Sequence, residues 1–171
     1  MPDAEISTDS GYPHAFTALL SPGPMVAGSV VEVEPESWSA CGPAEYARLR
    51  ERRRDLYERR LAQFDQAKVK VVLYAQALNA AGGRPSLVLA ELRLWARKQG
   101  FQVTDVLWDP PGARAQRAVA LSRCRGGFAI GIVAPSPEQV ADAPDECNAL
   151  LDYMAPRGFF LQHPPANGGP L

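Results

Sequence analysis

From Val69 onward, short β-branched runs alternate with amphipathic stretches of helix length, and this alternation leaves few folds open to the chain. Val69-Lys70-Val71-Val72-Leu73-Tyr74 reads as a buried strand. Gln76 to Arg84 reads as a loop punctuated by Gly82-Gly83, and Pro85 opens a helix running to about Gln99. Its expected apolar face is Leu87, Leu89 (or Val88), Leu92, Trp95 and Ala96, and Gly100 stops it. Phe101 to Trp108 is the second strand, turned by Asp109-Pro110-Pro111-Gly112 into a short helix from about Arg114 to Arg123 that ends at Gly126-Gly127. Phe128 to Val133 is the third strand. Ser136-Pro137-Glu138-Gln139 reads as a helix start, with Ser136 as cap and Gln139 completing a capping box. A last helix near Asp145 to Met154 buries Leu150, Leu151 and Met154, the fourth strand is Phe159 to Gln162, and residues 163–171 form a Pro/Gly tail. Strand and helix in this order predict an α/β fold: a mainly parallel four-stranded sheet flanked by helices. Ligands of such sheets gather beyond the carboxyl ends of the strands, here Gln76–Gly83, Asp109–Gln116 and Pro135–Ser136.

Two segments precede that domain. Residues 43–66 read as one long helix, with Pro43 in its first turn and good helix formers after it. Tyr46, Leu49, Leu56, Tyr57, Leu61 and Phe64 form a broken apolar stripe suited to docking or dimerisation. The opposite face carries Arg48, Arg52, Arg53, Arg54 and Arg59, candidate contacts to nucleic acid. Glu51, Asp55 and Glu58 stand three or four residues from these arginines and offer them partners within the helix. Residues 1–40 carry six acids and no base, and are expected to be a disordered acidic leader, because they hold too little apolar surface to offset chain entropy. Trp38 is the exception, a side chain able to dock on the domain or on a partner. The charge is therefore segregated, −6 over residues 1–40, +4 over 41–70 and +1 over 71–171, behind a net charge of −1.

Several function classes drop out. No apolar run approaches the roughly 20 residues of a membrane span, so no membrane association is expected. Met1-Pro2-Asp3-Ala4-Glu5 is acidic and lacks the apolar core of a secretory signal. Cys41, Cys124 and Cys147 are odd in number and far apart, which fits neither a disulfide framework nor a zinc site and suits a reducing cytoplasm. His14 and His163 fall in expected tails, and no metal set or catalytic triad can be assembled from them. No cofactor or metal is expected. Arginine outnumbers lysine 15 to 3, a bias that suits a high-GC bacterial coding sequence.

The blocks Tyr74-Ala75-Gln76-Ala77-Leu78, Lys98-Gln99-Gly100-Phe101-Gln102-Val103, Asp109-Pro110-Pro111-Gly112, Arg125-Gly126-Gly127-Phe128-Ala129-Ile130-Gly131-Ile132-Val133 and Pro156-Arg157-Gly158 carry a resemblance. Their order and spacing resemble the N-terminal domain of the resolvase/invertase family of serine recombinases over about residues 69–162. That family opens with Tyr-x-Arg-x-Ser, whose serine attacks a DNA phosphate and whose arginine helps bind it. The matching positions here are Tyr74, Gln76 and Leu78, so the resemblance implies that nucleophile and charge are lost at Leu78 and Gln76. The family's second motif, Asp-Arg-x-x-Arg, falls on the stretch Ala134 to Asp142, which holds no arginine. Asp109 and Arg117 match surviving positions. The family's C-terminal helix-turn-helix would lie beyond Leu171, so a domain without it is expected. Strand transfer needs a nucleophile and preorganised positive charge together, and losing both removes many orders of magnitude in rate. Ser86, as a displaced nucleophile, is more simply a first-turn helix residue.

Tyr74, Gln76, Asn79, Asp109, Arg114 and Arg117 remain as a candidate vestigial pocket at the strand ends, against the plainer reading of a surface ion pair. Gly82-Gly83-Arg84-Pro85-Ser86 can cradle an anion or be a plain loop. Cys124 and Cys147 read as small buried hydrophobes, and Arg123 and Arg125 as helix C-terminal bases. Three functions stay open. The first is a catalytically inactive recombinase-like domain acting as an interaction or regulatory module, through a protein partner or self-association. The second is a DNA-binding accessory protein using the basic helix 48–60. The third is a small anion- or nucleotide-binding α/β domain.

Overall fold

The computed structural model describes residue 38 and residues 41–63, 69–77 and 83–165. The expected alternation is present: α1 (Pro43–Leu61), β1 (Lys70–Gln76), α2 (Ser86–Lys98), β2 (Gln102–Asp109), α3 (Ala115–Arg125), β3 (Gly131–Val133), α4 (Pro144–Met154) and β4 (Phe160–Gln162). The four strands form one sheet in the order β2-β1-β3-β4, and every pairing is parallel. The chain steps from β1 to β2 in one direction and from β2 through β3 to β4 in the other. A constant crossover hand then puts α2 on one face and α3 and α4 on the other.

The core divides accordingly. Val72, Tyr74, Ile132 and Leu161 face α3 and α4, burying Ala120, Cys124, Cys147, Leu150, Leu151 and Met154. Val71, Leu73, Ala75, Val133 and Phe160 face the other way, onto Leu89, Leu92 and Ala96 of α2. Val103 and Val106 share that second face although they are three residues apart in β2. The register against β1 shifts there by one residue, leaving Thr104 as a bulge whose hydroxyl donates to Val71 O at 3.2 Å. Gly131 lies opposite Phe160 across the β3–β4 pair, and a Cβ on it would overlap the Phe160 ring. Only glycine admits this packing.

α1 lies along β4, the sheet edge away from β2, and against α4. Its Leu49 and Leu56, two turns apart, join the α3/α4 layer, while Tyr57 joins the α2 layer and meets the Phe160 and Phe101 rings at 5.2 and 6.2 Å. One helix thus seals both layers where an open strand edge would otherwise stand. The stripe Tyr46, Leu49, Leu56, Tyr57 and Leu61, read from sequence as a docking or dimerisation face, is half-buried or buried within the chain itself. An amphipathic period reports that a face will be covered, not by what. Phe64, Leu78, Asn79, the rest of the leader and residues 166–171 lie outside the described residues.

Other expectations change. α1 ends at Leu61 and passes into a turn at Ala62–Gln63, short of residue 66. The third strand is only Gly131–Val133, and Phe128 is exposed and stacks under the Arg123 guanidinium at 5.6 Å. Leu87 is 82 % exposed, off the apolar face of α2 that was expected to include it. Ser136-Pro137-Glu138-Gln139 makes one 3-10 turn, Pro137–Gln139, without the capping box: the Ser136 side chain bonds Glu138 and makes no cap, and the Gln139 side chain accepts the Gln76 N–H. His163, placed in the tail, is buried at the end of β4 with Nδ1 2.8 Å from Ala134 O.

Candidate functional site

In a doubly wound sheet the crevice for ligands opens where chain progression reverses, between the carboxyl ends of β1 and β3. In this chain that place is filled. Gln139, in the 3-10 turn after β3, is buried, and its Oε1 accepts the Gln76 backbone N–H at 3.0 Å. Gln76 is buried too, and its amide nitrogen donates to Ala113 O at 3.2 Å and to Pro110 O at 3.4 Å. The side chain expected at a lost phosphate-binding position thus ties the end of β1 to the loop after β2.

Asp109 is the best-connected member of the candidate pocket. It ends β2, is 1 % exposed, and accepts the Gln116 and Arg117 backbone N–H groups at 3.0 Å and the Tyr74 hydroxyl at 3.1 Å. It therefore caps α3 from outside the helix, meeting orphan first-turn donors with a negative charge at the positive end of the helix dipole. Tyr74 has its pKa raised to about 12, chiefly because it is buried, with the Asp109 carboxylate adding to the rise and Arg114 opposing it.

Both arginines of the pocket have partners. Arg114 donates to Gln139 O at 3.1 Å and pairs with Asp142. Arg117 donates to Val140 O and pairs with Glu146 at 2.6 Å. Glu146 also accepts the Asp142 N–H at 2.6 Å; burial pushes its pKa up, but that bond and Arg117 outweigh burial and hold it below the usual carboxylate value. Sequence reading singled out the two arginines and missed Gln139, Asp142 and Glu146. Nothing in sequence marks these three as partners of residues some 25 positions earlier; only the β3 crossover brings them there.

The α1 arginines are divided among different tasks. Arg52 reaches α4, donating to Asn148 Oδ1 at 3.0 Å and pairing with Asp152. Arg53 is half-buried, and burial lowers its pKa to about 10. Arg54 pairs with Glu58 at 3.6 Å, Arg59 donates to Asp55 O at 3.1 Å, and Arg48 is exposed. The run of three therefore does not form one free basic face. Trp38, the single described residue of the leader, donates its indole N–H to Ala141 O at 2.9 Å and stacks near Tyr46 at 5.5 Å; the Tyr46 hydroxyl in turn donates to Glu138. Burial pushes the Glu138 carboxyl up, but hydrogen bonds from Ser136 and Tyr46 bring it below its ordinary value.

Burial raises the thiol of Cys124 to about 12 and that of Cys147 to about 11, so neither is poised as a nucleophile. Ser86 is exposed at the start of α2, its hydroxyl 3.5 Å from Arg84 O. Among the described residues no group of three His, Cys, Asp or Glu side chains is placed to hold a metal ion, and no helix is long and apolar enough to cross a membrane. None of Gln76, Asp109, Arg114, Arg117 or Gln139 lines either of two clefts formed by the described residues. One is beside the C-terminal half of α1, lined by Leu56, Arg59 and Phe159 among others, and one lies between α2 and β2. Neither a scan against models of known protein families nor a search of curated proteins finds a match for the chain.

Proposed function

We propose that this chain is a catalytically inactive relative of the serine-recombinase N-terminal domain, working in the bacterial cytoplasm as an interaction or regulatory module in a DNA-associated process. The observation that carries the reading is the state of Gln76. Where the resembled family needs a free guanidinium beside its serine, this side chain is buried and donates to two backbone carbonyls. Asp109, Arg114 and Arg117 support it, since each is committed to a helix end, a backbone carbonyl or a carboxylate. A polar cluster that holds loops together has little capacity left to stabilise a pentacovalent phosphate. The same filling of the crevice disfavours a strand-end site for a small anion or nucleotide. The division of the α1 arginines disfavours DNA binding by that helix alone, and the internal packing of its apolar face moves any partner surface elsewhere.

The test is covalent chemistry. After incubation with supercoiled plasmid and denaturation in detergent, the protein is expected to run free of DNA. A protein–DNA adduct that survives denaturation and is lost in Ser86→Ala would overturn the reading.

A further inference from the structure

The cleft between α2 and β2 gathers three arginines in its wall. It is a shallow groove of about 200 Å³ lined by Arg84, Arg93, Arg97, Leu94, Ala90 and Val106, among others, with no carboxylate in its wall. Among the described residues none of the three guanidinium groups has an ion-pair partner. Asp105, the nearest acid along β2 to Val106, is paired with Arg123 of α3 instead. Beside the groove stand the two most exposed leucines of the described fold, Leu87 at 82 % and Leu94 at 56 %. They are seven residues apart, two helical turns, and so lie on one stripe of α2.

We propose that this groove docks an acidic, leucine-bearing helix of a partner protein. The proposal rests on the interaction-module reading and names its surface. Charge selects the occupant: three arginines with no ion-pair partner among the described residues, around an apolar strip, match carboxylates flanking leucines. Self-association through α2 is a poor fit, since an α2–α2 contact brings arginine against arginine. Nucleic acid is a poorer fit, because the exposed leucines offer phosphate nothing and the groove lining has no aromatic ring on which a base can stack. A partner strand is disfavoured as well. β2 is the outer strand of the sheet, but the Thr104 bulge breaks the run of edge groups that an added strand would follow. From Arg84 to Arg97 the helix and its first turn extend roughly 20 Å, the length of about a four-turn helix laid alongside.

The experiment uses the full chain and a fluorescein-labelled 16-residue peptide of leucine and glutamate, with leucines at helical spacing. The same peptide with lysine replacing glutamate, and a 20-base-pair DNA duplex, serve as the other arms. Anisotropy is expected to show saturable binding of the glutamate peptide, weakened by salt, and no binding of the lysine peptide. Arg93→Glu with Arg97→Glu, and separately Leu94→Ser, should each weaken it by about tenfold or more with the melting transition retained. Failure of the glutamate peptide to bind, or equal affinity in these variants, overturns the proposal. So does duplex DNA binding more tightly than the peptide and being lost in the arginine variant, which would make the groove a nucleic-acid surface. None of these results bears on the plasmid assay, so the docking surface and the inactive-domain reading can fail separately.

Discussion

α1 and α2 both carry arginines and leucines, yet the fold uses them in opposite ways. α1 lies on the β4 edge with its leucines in both core layers, and Arg52 and Arg54 pair with Asp152 and Glu58. α2 buries Leu89, Leu92 and Ala96 but leaves Leu87, Leu94, Arg93 and Arg97 without partners among the described residues, next to the open edge of β2. The more conspicuous arginine run is thus the more internal one. A cluster becomes an interface when the fold leaves it uncompensated, and density in sequence does not measure that.

The largest consequence concerns the leucines of α1. Leu56 is 6 % exposed and sits in the layer with Leu151 and Met154. Leu56→Ala is expected to cost about 3 kcal/mol, from lost transfer energy and the cavity left behind, read as a lower urea midpoint with the slope retained. If α1 were instead a docking helix for a partner, the isolated chain would keep its midpoint.

Next in size is Asp109, which like the α1 leucines is committed within the chain, at the other side of the sheet. Asp109→Ala leaves the Tyr74 hydroxyl and the first-turn amides of α3 without their acceptor in a buried place. The expected loss is about 2 kcal/mol. Amide exchange should be accelerated at Gln116 and Arg117 more than elsewhere in the domain. Uniform acceleration through the whole domain would mean that the carboxylate does not act as a local cap.

Much of the sheet was legible because the strands are hydrophobic runs of the right length, separated by Gly and Pro punctuation. Gly100 and Gly127, both at positive φ, end α2 and α3 where sequence places the stops. The third strand is shorter than its apolar run: Phe128-Ala129 is apolar, whereas bonding to the neighbouring strands begins at Ile130, which donates to Lys70 O at 2.9 Å and accepts the Phe160 N–H at 3.2 Å. The candidate pocket was legible as a set of residues at strand ends: Tyr74, Gln76, Asp109, Arg114 and Arg117 do come together. Its role was not legible. Gln139 fits a capping box by spacing, and only the approach of β1 to β3 shows that its amide is needed across the sheet. Likewise Arg93 and Arg97 look like ordinary solvated helix charges until the neighbouring strand is seen to bring no acid to them.

The smallest expected effect is the most discriminating for the comparison. Leu94→Ser removes an apolar side chain that is more than half exposed, from a helix whose inward face is Leu89, Leu92 and Ala96. Away from buried features a surface substitution changes stability by about 0.5 kcal/mol or less. Serine is also a slightly weaker helix former than leucine, which accounts for a few tenths of that. The urea midpoint should therefore barely move, while Leu56→Ala moves it strongly, although both changes strip a leucine from an arginine-bearing helix. A drop of 2 kcal/mol or more in Leu94→Ser would show that this leucine is covered by the chain itself. The two helices would then be alike, and the groove beside α2 would no longer be an open surface.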